Sequence, residues 1–219
     1  MHARAPRPAN PDFAAERFFW RAGMSLVAGV DEVGRGALAG PLVAAAVVFP
    51  AARGQAVARL IRALAGVRDS KVLSPAAREA LAGPIRDLAA GVGLGVVDPG
   101  ELDAVGVAAA NRLAMERAVL ALPLEPDALL LDACTIDLAL PQCGHVDADA
   151  TSLSVAAASI VAKVARDAWM TAADARDARY AFSLHKGYGS ALHLSLLERH
   201  GPGPLHRRSF APVARLCRP

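Results

Sequence analysis

The chain has 219 residues, which suits one domain, and its content of 54% hydrophobic against 21% charged residues excludes an intrinsically disordered protein. The formal net charge of +3 is compatible with a nucleic-acid partner but does not by itself indicate one. The three cysteines form no C-x-x-C pair, which argues against a disulfide framework or a zinc site, and no apolar run reaches the ~18 residues of a membrane span.

The predicted elements begin after an N-terminal arm. Residues 1–22 are rich in proline and charge, and we expect them to form a flexible arm rather than a targeting signal. The folded domain is then expected to span residues 23–219 of a cytoplasmic protein. The short apolar stretch SLVAGVDE predicts a strand that ends in Asp31 and Glu32. A glycine-rich turn leads from it to a second predicted strand, LVAAAVVF.

Helices and strands alternate in the remainder of the chain. Ser74 followed by Pro75 is typical of a helix start, and Gly201 followed by Pro202 is typical of a helix end. In chain order the predicted elements are the helices QAVARLIRALAG and SPAAREALAGPIRDLAA, the strand GVGLGVVD, the helical segment DPGELDAVGVAAANRLAMERAVLAL, the strands DALLLDA and CGHVDAD, and the helices SLSVAAASIVAKVARDAWMTAADARDA and SALHLSLLERHG. This order predicts an α/β fold, with a mixed five-stranded sheet flanked by helices and followed by C-terminal helices.

Acidic residues stand at the ends of two predicted strands, Asp31 with Glu32 on one and Asp132 on the other. A further acid, Asp167, lies on the long predicted helix. Two carboxylates at ~4 Å repel by about 4 kcal/mol at an effective dielectric constant of ~20, so a cluster of them requires a proton, a cation or separation. A set of oxygen ligands favours Mg²⁺ over zinc. The alternative is that Asp132 caps a turn and that the other strand end is merely solvated.

The turn Gly34-Arg35-Gly36 follows directly after the first acids. It weakly resembles a dinucleotide-binding loop, but its pattern is G-x-G-x-x-x-G and the preceding acids would repel a pyrophosphate. The two glycines could instead let a sugar–phosphate chain approach the backbone closely, with Arg35 available to contact a phosphate. A tight turn that carries a solvated arginine is the third possibility.

Six motifs of the chain resemble those of the bacterial ribonuclease HII family and occur in the same order. They are AGVDEVGRGALAGPLVAAAV, DSKVLS, LLLDA, SLSVAAASIVAKVARD, HKGYGS and HRRSFAPV. Together they cover about residues 25–215. The chain departs from the family's usual form in DSKV, in LDACTID and at Ala148, and these departures leave the acids intact.

The resemblance implies a ribonuclease-H-like fold and an endonuclease that hydrolyses the RNA strand of RNA–DNA hybrids. It also implies incision on the 5′ side of single ribonucleotides embedded in duplex DNA, which leaves a 3′-hydroxyl and a 5′-phosphate. We expect a monomer that binds these nucleic acids and no membrane. Two Mg²⁺ or Mn²⁺ ions would be held by Asp31, Glu32, Asp132 and Asp167.

The resemblance also implies substrate contacts. The backbone around Gly34-Arg35-Gly36 and the phenol of Tyr188 are expected to read the 2′-hydroxyl that distinguishes RNA from DNA. Tyr188 could alternatively be a half-buried loop aromatic, and each basic residue of the motifs could be a solvated charge. The candidates for phosphate contacts are Lys71, Lys186, Arg207 and Arg208.

Three other classes of function stay open on the residues alone. Another metal-dependent nuclease of the same fold would prefer an abasic or mismatched duplex. A binding module without catalysis would have no need of the acid set. A nucleotide-dependent oxidoreductase would bind a nicotinamide cofactor, which an absorbance titration detects.

Overall fold

The computed structural model describes residues 10–217, in which five strands form one mixed sheet in the order β3-β2-β1-β4-β5. The predicted α/β fold with a mixed sheet, flanking helices and C-terminal helices is confirmed. The strands are β1 (Val27–Val33), β2 (Leu42–Val48), β3 (Gly91–Val97), β4 (Ala128–Asp132) and β5 (Gln142–His145). The helices are α1 (Ala14–Arg21), α2 (Gln55–Ala63), α3 (Pro75–Leu88), α4 (Pro99–Val105), α5 (Val107–Leu120), α6 (Leu153–Arg176), α7 (Phe182–His185), α8 (Ala191–His200) and α9 (Ala211–Ala214).

Strand pairing brings the ends of β1 and β4 together. β1 runs antiparallel to β2 and parallel to β4, with Val30 opposite Leu131 in the parallel pair. β2 continues antiparallel to β3, and β4 continues parallel to β5. Because parallel neighbours end at the same edge of a sheet, the residues that follow Val30 and Leu131 emerge side by side.

Both faces of the sheet are covered by helices. Alternate residues of β2 point to opposite sides, so Ala45 and Val47 pack in a core with α6, whereas Ala44 and Ala46 pack in a core with α5. All of β2 is buried, as expected for a strand with helices on both faces. The apolar run that predicted this strand therefore reflects burial on two sides.

The close contact of α6 with β1 depends on Gly29. A Cβ atom at this position would lie 2.3 Å from the main-chain carbonyl carbon of Ser154, so a larger residue would push the helix away. α6 begins at the same place, where the side chain of Ser152 accepts a hydrogen bond from the N–H of Val155. This contact sets the distance between the long helix and the strand that carries the first acids.

The N-terminal segment differs from the flexible arm expected over residues 1–22. Residues 1–9 lie outside the described part of the chain, but the residues that follow form α1 and pack onto the sheet. Phe13 is fully buried, with its ring centroid 5.5 Å from that of Trp20 and 5.6 Å from that of Phe49. The expectation is therefore wrong for residues 10–22, which belong to the folded domain.

The buried carboxylate of Glu16 explains why α1 was not predicted from the sequence. Glu16 interrupts the apolar face of the helix, yet it is only 1% exposed. Its Oε1 accepts hydrogen bonds from the Ser152 hydroxyl at 2.6 Å, and from the Ser154 N–H at 3.0 Å and hydroxyl at 2.6 Å. An acid at a helix N-terminus is favourable because of the exposed N–H groups there, so Glu16 joins α1 to the start of α6.

Within residues 10–217, none of the helices combines the length and the apolar character needed to cross a membrane.

The packing of the N-terminal segment predicts a difference between Phe13, the N-cap residue of α1, and Phe18 within the helix. Replacing the buried Phe13 by alanine should lower the free energy of unfolding by about 3–5 kcal/mol, because the change leaves a cavity in the core. The matched Phe18→Ala change affects a side chain that is 70% exposed and should stay within about 0.5 kcal/mol. Denaturant titration followed by circular dichroism measures both values. Equal changes in the free energy of unfolding for the two variants would indicate that this segment is a flexible arm.

Candidate active site

A cleft of about 240 Å³ opens at the edge of the sheet where β1 and β4 end. Because the two strands are parallel neighbours, Asp31 of β1 and Asp132 of β4 face the same space. Three of the four predicted acids therefore share one site with the predicted glycine turn and Tyr188. The lining residues are Asp31, Glu32, Val33, Gly34, Arg35, Gly36, Ser70, Lys71, Asp132, Ser159, Lys163 and Tyr188.

Asp31 is the most deeply buried of these acids, at 3% exposure. Burial is the main cause that raises the pKa of Asp31 well above its usual range. The negative charges of Glu32, Asp132 and Asp149 raise the same pKa further. Its Oδ1 accepts a hydrogen bond from the N–H of Glu32 at 2.8 Å, whereas its Oδ2 is buried without a hydrogen-bond partner among the described residues. The site thus holds concentrated negative charge and one unsatisfied oxygen.

Asp149 is an acid of this cluster that the sequence did not predict. It lies in a short 3₁₀ turn at Ala148–Ala150, just before the long helix, and is 4% exposed. Its charge acts on Asp31, and the charge of Asp132 acts on Asp149 in turn. The N–H of Ala148 donates to Oδ1 of Asp132 at 2.9 Å, which ties the turn to the end of β4. Its position three residues before the N-cap Ser152 was the available signal.

Asp167 is placed differently from the prediction. Its Oδ1 lies 2.7 Å from Nζ of Lys163, and its Oδ2 lies 3.8 Å from Nη2 of Arg78. Neither Asp149 nor Asp167 is among the described residues that line the cleft, but the charge of Asp149 acts on Asp31 and that of Asp167 does not. The structure therefore groups Asp149, rather than Asp167, with the strand-end acids.

The donor atoms of the cluster fit a hard divalent cation, because they are carboxylate oxygens and one of them lacks a partner. Within residues 10–217, no group of three Asp, Glu, His or Cys side chains is already arranged so that it could hold a metal ion. Two of the acids bind donors of the protein instead. Nζ of Lys71 lies 3.2 Å from Oδ2 of Asp149, and the N–H of Ala148 donates to Asp132. A cation would compete with the ammonium of Lys71 for Asp149.

Two buried arginines hold the loops around the cleft. Arg166 is fully buried and donates to the carbonyls of Pro41 at 2.8 Å, Lys186 at 2.9 Å and Ala39 at 3.0 Å. It thereby joins the segment after the glycine turn to the segment before Tyr188. A Cβ atom at Gly34, which has φ +91°, would lie 2.2 Å from Nε of Arg166, so this position requires glycine.

Arg207 is the second of these arginines, and its predicted contact with phosphate is wrong. Its side chain is fully buried and donates to the carbonyls of Gly34 at 2.7 Å, Arg35 at 3.2 Å and Gly40 at 2.8 Å. A guanidinium enclosed by main-chain carbonyls cannot reach a phosphate outside. Arg207 therefore shapes the glycine turn from behind.

Tyr188 stands at the mouth of the cleft with 36% of its surface exposed. Its ring centroid lies 5.3 Å from Cζ of Arg166 and 5.6 Å from Nζ of Lys163, which are cation–π distances. Arg35 and Gly36 are exposed on the glycine turn of the same cleft. The main chain of the glycine turn, the guanidinium of Arg35 and the phenol of Tyr188 can therefore contact the same bound molecule.

The other predicted basic contacts are spread over the surface. Lys71 lines the cleft, whereas Lys186 and Arg208 are absent from its lining within the described residues. Lys186 Nζ donates to the hydroxyl of Thr171 at 2.7 Å. Arg208 is exposed, and its main-chain N–H donates to Oδ2 of Asp103 at 2.6 Å. Of the three, Lys71 alone is placed beside the acids.

Known proteins resemble this chain over most of its length. A family model described as Ribonuclease HII matches residues 28–213. The ribonuclease HII of Herpetosiphon aurantiacus is 52% identical over 203 residues, which cover 91% of this chain and 95% of that protein. The ribonuclease HII of Chloroflexus aurantiacus is 50% identical over 204 residues, which cover 93% of this chain and 94% of that protein.

Solved structures share the fold. The ribonuclease H2 of Pyrococcus horikoshii superposes with a TM-score of 0.71 at 26% identity and covers 87% of this chain and 96% of its own. The Archaeoglobus fulgidus ribonuclease HII, solved in a complex with PCNA, gives a TM-score of 0.65 at 26% identity, with 83% and 92% covered. A Bst ribonuclease HIII solved with Mn²⁺ gives 0.69 at 20% identity, with 99% and 76% covered, which supports the fold alone.

The raised pKa of Asp31 predicts how stability varies with pH when no metal is present. Because the folded state binds the proton of Asp31 more tightly than the unfolded state, stability is greatest below the ordinary Asp pKa and falls as pH rises through the folded pKa. Asp31→Asn should therefore melt at a higher temperature than the wild type at pH 7.5 in EDTA, and the difference should vanish near pH ~3. The exposed Asp87→Asn change is the control. A less stable Asp31→Asn variant at pH 7.5 would contradict the predicted repulsion.

The buried position of Arg207 predicts a structural role that its neighbour lacks. Arg207→Met should lower the free energy of unfolding by at least about 1–3 kcal/mol, the cost of one buried carbonyl without a donor. Arg208→Met alters an exposed side chain and should change it by less than about 0.5 kcal/mol. Chemical denaturation of the two variants makes the comparison. If Arg207→Met unfolded like the wild type, the enclosed guanidinium would have no role in the loop.

Proposed function

The chain belongs to the ribonuclease HII family and is an endonucleolytic hydrolase of RNA–DNA hybrids, and we propose that it also incises duplex DNA 5′ of single embedded ribonucleotides. The products are a 3′-hydroxyl and a 5′-phosphate, the cofactor is Mg²⁺ or Mn²⁺, and the enzyme acts as a cytoplasmic monomer. The observation that carries this proposal is the buried Asp31, with an unsatisfied oxygen, facing the same cleft as the glycine turn and Tyr188.

Four carboxylates are the proposed metal ligands: Asp31, Glu32, Asp132 and Asp149. Cations held by these residues would supply Lewis acidity at the scissile phosphate and would neutralise negative charge that develops there. The carboxylates supply fixed negative charge, and burial together with Asp132 raises the pKa of Glu32. Lys71 holds Asp149 in the metal-free protein and keeps a positive charge at the cleft for the substrate's phosphates.

The glycine turn and Tyr188 are the proposed reader of the ribose. Main-chain groups at Gly34, Arg35 and Gly36 can approach a sugar closely, because two of the three residues lack a side chain. The phenol of Tyr188 lines the same cleft and can share a hydrogen bond with a 2′-hydroxyl, the group that separates RNA from DNA. A sugar without that hydroxyl would leave the polar groups unpaired, which discriminates against DNA.

The test of this function also separates Asp149 from Asp167. Wild-type protein is incubated with a duplex that carries one ribonucleotide, with Mn²⁺ or with EDTA, and the product ends are mapped. Asp149→Asn should lower the cleavage rate by at least about 100-fold, since even the outer partners of metal ligands cost 10–100-fold. Asp167→Asn should lower the rate much less, because its carboxylate pairs with Lys163 and Arg78.

Two results would contradict the proposal. If the wild-type protein with Mn²⁺ cut a hybrid but left the ribonucleotide-containing duplex intact, the proposed incision activity would be wrong. If Asp167→Asn lowered the cleavage rate more than Asp149→Asn, Asp167 rather than Asp149 would be the fourth metal ligand.

A further inference from the structure

Three histidines form a chain behind Tyr188, and the nuclease chemistry above does not use them. His193 and His206 are buried, with their Nε2 atoms 3.1 Å apart. The ring of His185 stacks on that of His193 with 4.2 Å between the centroids. The chain runs from the loop at Gly203 to the main chain of Tyr188, so it links the C-terminal part of the fold to the cleft.

Main-chain donors fix which ring nitrogens carry protons. The N–H of Gly203 donates to Nδ1 of His206 at 3.0 Å, so the neutral His206 ring carries its proton on Nε2. This N–H donates to Nε2 of His193, and His193 therefore carries its proton on Nδ1. The Nδ1–H of His193 donates to the carbonyl of Tyr188 at 2.9 Å. The N–H of Gly203 at one end and the carbonyl of Tyr188 at the other therefore require the same pair of tautomers.

His185 holds the same turn from its other side. The N–H of Gly187 donates to Nδ1 of His185 at 3.2 Å, so the proton of the neutral ring lies on Nε2 and is donated to the carbonyl of Tyr180 at 2.7 Å. The N–H of Tyr188 donates to the carbonyl of His185 at 3.0 Å. The main chain of Tyr188 is therefore held on both sides by histidines.

The chain is complete only while its rings are neutral. An added proton on His206 would face the N–H of Gly203, and one on His193 would face the N–H of His206. Burial lowers the pKa of His206 to about 4 and also lowers the pKa values of His185 and His193. The charged or titratable groups packed around the chain are Asp174 against His185, Asp177 against His206, His200 and Arg179 against Tyr180, and Lys163 and Arg166 against Tyr188.

We propose that His193 is a positioning residue for Tyr188, and that His206 supports this role because its Nε2–H satisfies the Nε2 of His193 in the required tautomer. This rests on the proposed function, in which Tyr188 reads the ribose at the incision site. The side chain of Tyr188 is partly exposed, and the contacts of its ring are with the cationic groups of Lys163 and Arg166. Because these ring contacts involve no apolar packing, the position of the main chain determines the position of the phenol. The carbonyl of Tyr188 accepts from the N–H of Ser190 at 2.8 Å and from the Nδ1–H of His193 at 2.9 Å, and His193 supplies the side-chain donor of the two.

Two substitutions at His193 separate its two hydrogen bonds. An asparagine amide reaches the place of Nδ1 and keeps the donor to Tyr188, whereas a glutamine amide reaches the place of Nε2 and keeps the contact with His206. His193→Gln should lower the cleavage rate at a single ribonucleotide about threefold to tenfold, the cost of one hydrogen bond, with unchanged duplex affinity. His193→Asn should lose less, and the exposed His200→Gln should cleave like wild type. Equal losses for the Asn and Gln variants would overturn the proposal.

A double-mutant cycle distinguishes positioning from general support of the fold. In a Tyr188→Ala background, His193→Gln should cause no further loss of rate, because the side chain it positions is gone. A further loss equal to that in the wild-type background would overturn the proposal, since His193 would then act on cleavage independently of Tyr188.

Nitrogen NMR of the wild-type histidines tests the proposal without any variant, and so decides it even if His193→Gln does not fold. The expected result at pH 7 is a proton on Nδ1 of His193 and on Nε2 of His206. The Nε2–H tautomer at His193 would overturn the proposal. This readout requires no cleavage, so a wild-type protein that failed to cut the duplex would refute the proposed function and leave the tautomer result standing.

Discussion

The burial of Asp31 among like charges is the constraint on which the rest of the cleft depends. Parallel pairing of β1 with β4 forces Asp31 and Asp132 to the same edge of the sheet, and the turn at Ala148–Ala150 adds Asp149. Taking a carboxylate out of water is costly unless it is paired, and Asp31 has one oxygen without a hydrogen-bond partner in the described structure. Packing of α5 and α6 on both sheet faces stabilises the fold against this repulsion, so the cluster stays available to cations.

Arg166 and Arg207 build the frame around that cluster. Each is fully buried, and neither makes an ion pair within residues 10–217; their guanidinium groups bind main-chain carbonyls instead. Removing such a charge from water is favourable only when its donors are satisfied, which the loops at Gly34–Pro41 achieve. The same loops carry the proposed ribose reader. The two buried guanidinium groups therefore fix the geometry of the loops at which a substrate would meet the acids.

The sequence predicted the sheet because the apolar runs of β1, β2 and β4 are short, bounded and followed by turn residues. It predicted Asp31, Glu32 and Asp132 near strand ends, where the structure has them in one cleft, since strand ends follow directly from such runs; their role as metal ligands stays a prediction. It placed Asp167 on the long helix, as the structure has it, but it could not show that Asp149 lies with the strand-end acids, because that depends on how the turn before α6 folds. It also missed α1, where the buried Glu16 interrupts the apolar pattern, and misjudged Arg207, since burial of an arginine leaves no local signal.

The most direct test of the account is the position of a cation. A crystal of the protein soaked in Mn²⁺ would be measured at an X-ray wavelength at which manganese gives an anomalous signal. We expect a peak within coordination distance of Asp31, Asp132 and Asp149, with the ammonium of Lys71 moved away from Asp149. A peak held by Asp167, or an acid cluster that stays free of manganese while Lys71 keeps its contact, would contradict it.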